Sequence, residues 1–289
     1  MRAGRRDVTI THPGKVLFPA DGITKGDLAA YYRDAAGWMV PHVRGRPVSM
    51  QRFNAGIGRE GFFQKNLPRG APDWLHRVEV AKRGGRLVHV LADDAAALVW
   101  LANQNCVTPH VWTSRADRLD RPDRMIWDLD PAGDGHGAFG LVRRTALELG
   151  ALLRELGTEP WAMTTGSRGV HVVVAVRRRY GFQAVHAAAR AVADELVARR
   201  PGDLTTEFYV RKREGRLFVD VNRNARAATA VPPYAVRPRP GAPVATPLRW
   251  EELDDPALRA DRFTLRDVLE RPGDPWEQIS RSAGRLPAD

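Results

Sequence analysis

The sequence of 289 residues carries one cysteine, Cys106, and only five lysines among forty-five basic residues. A lone thiol excludes an internal disulfide framework and a cysteine-rich zinc site. No stretch approaches ~18 consecutive uncharged apolar residues, the length a membrane-spanning helix needs. The basic residues behind Met1 are not followed by an apolar run, so the start does not read as a secretory signal. Neither the G-x-x-x-x-G-K-[ST] phosphate loop nor the G-x-G-x-x-G dinucleotide fingerprint occurs. Low-complexity linkers and internal repeats are missing as well. What is there is an ordinary globular balance, 43% hydrophobic and 27% charged, with a formal net charge of +11. That excess suits a polyanionic partner, because neutralised phosphates release counterions. Codon composition accounts equally well for the arginine skew, so charge suggests nucleic acid without establishing it. A cytosolic protein is the simplest reading.

The periodicities predict an α+β fold with largely antiparallel sheets. A helix is expected from Thr24 to about Val40, with Thr24 as N-cap and Pro41 as its end. Strands follow at Pro47–Phe53, Phe62–Lys65, Arg77–Ala81 and Arg86–Leu91, the last two joined as a hairpin by 82–85. Asp93 is expected to cap a helix ending at Asn103. Val107–Thr113 and Arg124–Asp130 read as strands, and 137–156 as a helix burying Phe139, Val142, Ala146, Leu149 and Leu153. Trp161–Thr164, Val170–Val176 and Leu217–Val221 are further strands, with a helix over Phe182–Arg199. The proline-dense stretch Pro232–Pro247 is expected to wrap over the surface, and a short helix to form at Leu265–Glu270. No cut is evident, so one domain over 1–289 is expected. Its parts are an N-terminal region about 8–110, a core about 111–250 and a C-terminal wrap 251–289.

Three features carry chemistry. In Met125-Ile-Trp-Asp-Leu-Asp-Pro131, Asp128 and Asp130 leave the same face of a strand, about 6.5–7 Å apart. Two like charges so close are costly to desolvate unless a hard divalent cation joins them. An acidic strand end facing water gives the same pattern, and so do sugar-nucleotide-dependent glycosyltransferases. Asp220, inside Leu217-Phe-Val-Asp-Val221, is either a third carboxylate for a two-metal site or an aspartate paired with an arginine. Thr164-Thr-Gly-Ser-Arg-Gly-Val-His171 is a plain turn or a phosphate cradle, with donors at Thr165, Ser167, Arg168 and His171. Carboxylates beside such a loop are the layout of phosphoryl or nucleotidyl transfer. Arg177–Arg179 reads as a solvated turn or a DNA-facing patch.

The ordered set 128–130, 164–171 and 218–224 resembles the three motifs of the archaeo-eukaryotic primase superfamily. More narrowly, Ala228–Val244 is similar to the polymerase domain of bacterial ligase D and its stand-alone relatives, which act in non-homologous end joining. Thr11–Pro19, Thr24-Lys25 and Leu98–Asn103 extend the resemblance over about residues 8–275. It implies a primase-like core of mixed and antiparallel sheets flanked by helices. It also implies that Asp128, Asp130 and Asp220 bind two divalent cations, Mn²⁺ preferred and Mg²⁺ suited as well. Thr165, Ser167, Arg168 and His171 would hold the incoming triphosphate of an NTP or dNTP. Arg223, Arg237, His110 and, more weakly, Arg52 join them. The family usually has serine at position 165 and lysine at 168, so hydroxyl and charge survive while the geometry of the cation changes. Lys15 and Lys25 match residues that grip a 5′-phosphate at a broken or gapped DNA end. Phe62 and Phe63 match an aromatic pair, one stacking on the template and the other expected in the core. The implied activity is template-dependent addition of nucleotides, including ribonucleotides, to a primer 3′-hydroxyl during end joining. Ku and a DNA ligase are the implied protein partners, in a bacterial cytoplasm at the nucleoid and away from membranes. A non-catalytic end-binding scaffold and a D-x-D glycosyltransferase stand as alternatives. No ligase or nuclease domain fits within this length.

Overall fold

The computed structural model describes residues 1–133 and 136–287. The chain forms two units. The first comprises Met1–Asp117, Thr229–Ala245 and Phe263–Pro272, and the second Arg118–Ala228, Thr246–Arg262 and Gly273–Asp289.

In the first unit, helix α1 (Lys25–Asp34) starts at a full capping box: Thr24 accepts from the Asp27 amide and Asp27 from the Thr24 amide. The single helix expected over 24–40 is instead two, because Ala35 ends α1 and caps α2 (Ala36–Val43). Pro41 lies inside α2 rather than ending it. The proline removes one intrahelical donor, and burial of Met39, Val40 and Val43 outweighs that loss.

Strands β1 (Val48–Arg52) and β2 (Phe62–Gln64) pair antiparallel, and a separate hairpin joins β3 (Arg77–Lys82) to β4 (Gly85–Val90). Helix α3 (Ala95–Asn103) is buried almost all round, as its apolar sequence requires. Its cap is Asp94, not Asp93: Asp94 accepts from the Ala97 amide at 2.8 Å. Asp93 turns away, accepting from the Gly45 amide and pairing with His76 at 2.8 Å. Strand β5 (Cys106–Trp112) is central, and the order is Thr229–Ala230, β5, β1, β2.

Cys106 is fully buried in β5, and burial pushes its thiol up to about 12. At pH 8 only about one molecule in ten thousand would carry the reactive thiolate even with access. The native protein is therefore expected to leave Cys106 unlabelled by a thiol reagent that modifies it fully in denaturant. Labelling at the denatured rate without denaturant would contradict this burial.

In the second unit, strands β6 (Arg124–Asp130), β7 (Pro160–Thr164), β8 (Val170–Ala175), β9 (Leu204–Thr205), β10 (Leu217–Asp220) and β11 (Thr246–Leu248) form one sheet in the order β9-β10-β6-β8-β7-β11. Only β9 and β10 run parallel; every other neighbour pair is antiparallel, so the α+β expectation with mixed sheets holds. Helices α4 (His136–Glu155) and α5 (Phe182–Arg199) pack on this sheet. The face of α4 read from its period is buried: Phe139, Val142, Ala146, Leu149 and Leu153. Among the described residues no helix is long and apolar enough to cross a membrane.

Apart from its bend at 237–241, the proline-dense stretch does not lie on the surface. Pro232–Val236 and Ala242–Leu248 are buried, with Tyr234 donating to Ala245 and Ala245 to Ala235 through the backbone. Prolines without N–H groups leave the alternating amides free to pair, and valine and alanine supply apolar surface worth burying. The helix expected at Leu265–Glu270 is a single 3₁₀ turn at Val268–Glu270.

Candidate active site

The second unit brings the acidic residues together. Along β6 the side chains alternate, with Met125, Trp127 and Leu129 on the helix side, where the Trp127 indole donates to the Ala189 carbonyl of α5 at 2.9 Å. Asp128 and Asp130 therefore leave the opposite face. Antiparallel pairing then sets Asp128 directly across from Asp220 on β10 and directly across from His171 on β8. Cross-strand neighbours on one face have Cβ atoms about 4.5–5.5 Å apart. Three carboxylates from two adjacent strands thus share one patch of sheet.

That patch is electrically compensated by side chains. Arg223 Nε lies 3.4 Å from Asp128 Oδ2 and 3.9 Å from Asp220 Oδ2. His171 Nε2 is 3.5 Å from Asp128 Oδ1. Asp130 faces two guanidinium groups, Arg168 at 2.9 Å and Arg213 at 3.5 Å. Burial nevertheless raises the Asp130 carboxyl above its ordinary value, with Arg168 pulling it back and the Asp128 charge adding to the rise. Asp220 Oδ1 accepts two bonds from Asn222, the amide at 2.8 Å and Nδ2 at 2.6 Å. Asp220 thus lies beside Asp128 on the acidic face and also within 3.9 Å of Arg223.

The turn between β7 and β8 closes on itself. Thr165 donates its amide to the Gly169 carbonyl at 3.0 Å, and its hydroxyl accepts from the Gly169 amide at 3.2 Å. Gly166 adopts φ 63, a left-handed conformation that a side chain would strain. Ser167 and Arg168 occupy the bend, and His171 is nearly fully buried at the start of β8. Arg177–Arg179 forms the turn after β8, where the Arg179 carbonyl accepts from Arg121 at 2.8 Å.

Sequence reasoning missed three contributors to this face. Arg213 reaches Asp130 from a loop between β9 and β10. Asn222 holds Asp220. Asn224, fully buried, exchanges two bonds with the Ile126 backbone at 2.8 and 2.7 Å and so fixes the turn after β10 against β6. Gly169, which the sequence marks as a bend residue, also lets the backbone approach β6 closely. The signal for the asparagines was an N-x-N directly behind an aspartate-bearing apolar strand. None existed for Arg213, one of eight basic residues between 199 and 226.

Among the described residues no group of three or more His, Cys, Asp or Glu side chains is disposed to hold a metal ion. The oxygens of Asp130 turn toward Arg168 and Arg213. The donor set is nonetheless hard carboxylate oxygen on one sheet face, the chemistry that divalent cations such as Mg²⁺ and Mn²⁺ favour. The residues fit such cations once the guanidinium groups yield their places.

The first unit carries the remaining candidates. Lys15 and Lys25, with Thr11, His12, Gly14 and the segment 103–105, line a cavity of about 720 Å³. The Lys25 ammonium is buried and donates to the Thr11 carbonyl at 2.7 Å, while Lys15 donates to the Asn54 carbonyl. Burial lowers the Lys25 ammonium below its ordinary value, and the charges of Lys15 and Arg52 add to that. Arg52 is tied down by the Gln104 carbonyl at 2.7 Å and lies over the Phe62 ring at 5.5 Å. His110 approaches Gln51 at 3.3 Å and meets the Phe63 ring edge-on at 5.2 Å. Arg237 follows the buried Pro232–Val236 stretch, its amide donating to the Pro243 carbonyl at 2.7 Å. One phenylalanine of the pair was expected in the core. Neither is there: Phe62 is 44% and Phe63 55% exposed, because β2 is an edge strand.

Residues 24–276 match the family model for the LigD primase-polymerase domain. The multifunctional non-homologous end joining protein LigD of Mycolicibacterium smegmatis is 36% identical over 266 residues, 91% of this chain and 34% of its own length. LigD of Pseudomonas aeruginosa is 33% identical over 99% of this chain and 34% of its own length. The bifunctional protein LigD of Bacillus subtilis is 27% identical over 89% of this chain and 41% of its own length. The chain thus spans roughly a third to two fifths of these curated relatives. The solved polymerase domain of Mycobacterium tuberculosis ligase D, in complex with DNA, is 32% identical and superposes with a TM-score of 0.87, covering 96% of this chain and 99% of that one. A match that takes in both strands carrying the acidic patch leaves one assignment: the chain belongs to the LigD primase-polymerase domain family.

Proposed function

We propose that this chain is a template-dependent nucleotidyltransferase that extends a primer 3′-hydroxyl and fills gaps at DNA breaks in non-homologous end joining. The observation that carries the reading is the meeting of Asp128, Asp130 and Asp220 on one face of the sheet, beside the closed turn at Thr165–Gly169. Those carboxylates would hold two divalent cations, Mn²⁺ by family habit with Mg²⁺ also suited. Such ions supply charge stabilisation at the attacking and leaving oxygens. Arg168, Arg223 and His171, now paired with carboxylates, are the donors for triphosphate oxygens, and Thr165 and Ser167 shape the bend that presents them. Arg52, His110 and Arg237 take nucleotide-contacting roles on the resemblance alone. Further partners in this reading are Ku and a DNA ligase.

Lys15 and Lys25 are the anion-binding pair, suited to a terminal 5′-phosphate. Phe62 and Phe63, exposed on an edge strand, offer ring faces to a template base. The solved relative's complex with DNA supports a nucleic-acid substrate.

The test is primer extension with Mn²⁺ on a gapped duplex, with each nucleotide type and with or without a 5′-phosphate at the gap. Wild-type protein should extend the primer and prefer the phosphorylated gap. Lys15→Ala should erase that preference while leaving extension of the unphosphorylated gap intact. A charge-assisted hydrogen bond is worth about 1.5–3 kcal/mol, so the loss should be roughly 10- to 150-fold. A preference that survives the change refutes the phosphate assignment, and absent extension by wild type refutes the polymerase.

A further inference from the structure

Six large apolar side chains of the described residues stand exposed, and three of them are consecutive: Phe208 at 62%, Tyr209 at 62% and Val210 at 74%. They lie between β9 and β10 and belong to no strand; the 3₁₀ turn Val210–Lys212 follows the two rings. An exposed aromatic pair forgoes burial that the fold could have used, which marks a contact surface.

The segment is held in shape from beneath. Arg213 donates to the Glu207 carbonyl at 3.2 Å and the Phe208 carbonyl at 2.9 Å, with its guanidinium 3.9 Å over the Phe218 ring of β10. The Tyr209 amide donates to the Glu207 carboxylate at 2.9 Å. The two rings meet edge to face, 5.6 Å between centroids at 82°. A surface fixed in this way loses little conformational freedom when something binds it.

Its surroundings select the partner. Basic residues outnumber acidic ones four to two over 207–216, and the acidic pair is engaged: Glu207 by the Tyr209 amide, Glu214 by Arg216 at 3.4 Å. Lys212 lies 5.6 Å over the Tyr209 ring. Cations interleaved with exposed rings suit a strand of unpaired nucleotides, whose bases offer π-faces while the phosphates meet the charges. Bases of a duplex are already stacked and cannot use the rings. A protein partner would use the same rings and arginines, but the lysine lying over Tyr209 is of a type depleted at protein interfaces. Position adds a further argument: the same Arg213 that carries the Phe208 carbonyl reaches Asp130 at 3.5 Å.

We infer that Phe208 and Tyr209 form a stacking platform for single-stranded DNA beside the acidic patch. Its placement rests on the polymerase reading, whereas strand binding itself does not. The test uses the full chain and a fluorescent oligothymidine, without metal or nucleotide, so that no turnover is involved. Phe208→Ala with Tyr209→Ala should weaken the complex by about 5- to 150-fold per stacked base. Phe208→Trp should retain the affinity, because it keeps a ring. An abasic strand of equal length should bind wild type and double variant alike, and blunt duplex should bind both proteins alike. Equal affinity of variant and wild type for the oligothymidine overturns the platform, including in favour of a protein partner there. An equal loss toward blunt duplex also overturns it, because that loss is electrostatic. Extension and strand binding are read separately: strand binding that depends on the two rings stands even where wild type shows no extension.

Discussion

Asp128→Asn should abolish primer extension while leaving the protein folded. The substitution keeps the shape and removes one negative charge from the residue at the centre of the acidic patch, flanked across the sheet by Asp220 and His171. If cations at this patch supply charge stabilisation of several kcal/mol to the reaction, loss of the central carboxylate costs on the order of 10³-fold in rate or more. The stability effect runs the other way or nearly cancels. Arg223 loses an ionic partner at 3.4 Å and His171 a polar neighbour at 3.5 Å, whereas Asp130 and Asp220 lose a like-charged neighbour. The change in unfolding free energy should stay within about 1 kcal/mol. Extension assays at fixed Mn²⁺ and a thermal melt check both halves. Extension at the wild-type rate would remove Asp128 from the chemistry, and a collapsed melt would make it a structural residue instead.

The second large effect belongs to a residue with no side chain. A Cβ placed on Gly169 would stand 2.1 Å from the Leu129 carbonyl oxygen and 3.1 Å from its carbon. Both obstacles are backbone, so no rotamer change relieves the clash, and β6 and β8 must part at the end where Asp130 sits. Overpacking of this kind costs about 1–3 kcal/mol and occasionally more, and here the upper end applies. At about 2–4 °C per kcal/mol, the melting temperature of Gly169→Ala should fall by roughly 6–12 °C. Activity should suffer beyond that, because the displaced atoms carry Asp130 and its partner Arg168. A misplacement near 1 Å at reacting groups can lower a rate by about 100-fold. Gly140→Ala is the control: on α4 the added Cβ meets only Arg144 Nη1 at 3.7 Å, an ordinary contact, and helix propensity gains about 0.5–1 kcal/mol. A Gly169→Ala protein as stable and active as that control would show that β6 and β8 are not held as tightly as the geometry requires.

Where periodicity was strong, the sequence could be read to the residue. Strand Arg124–Asp130 and helix Phe182–Arg199 have the boundaries their patterns imply, and the cap at Thr24 follows from a local hydrogen-bonding rule. Errors fell where two local choices were nearly equal or where burial intervened. Asp93 and Asp94 both suit a helix start, and the contacts of Asp93 with Gly45 and His76, remote in the chain, settled the matter. The proline-dense stretch has surface composition by any local count, yet its valines and alanines are buried and its last residues form an edge strand.

The same division runs through the candidate site. That Asp128 and Asp130 share a face follows from the two-residue period of a strand, and that 165–169 bends follows from its glycines; both are properties of neighbouring residues along the chain. That Asp220 faces Asp128 was decided by the register of β10 against β6, which depends on apolar packing across some ninety residues of sequence. Only that register, together with the close approach Gly169 permits, brings Arg168, Arg213 and Arg223 to the acidic face as counter-charges. Local chemistry names the groups. Long-range pairing determines which of them meet, because the free energy that fixes it resides in contacts no stretch of sequence contains.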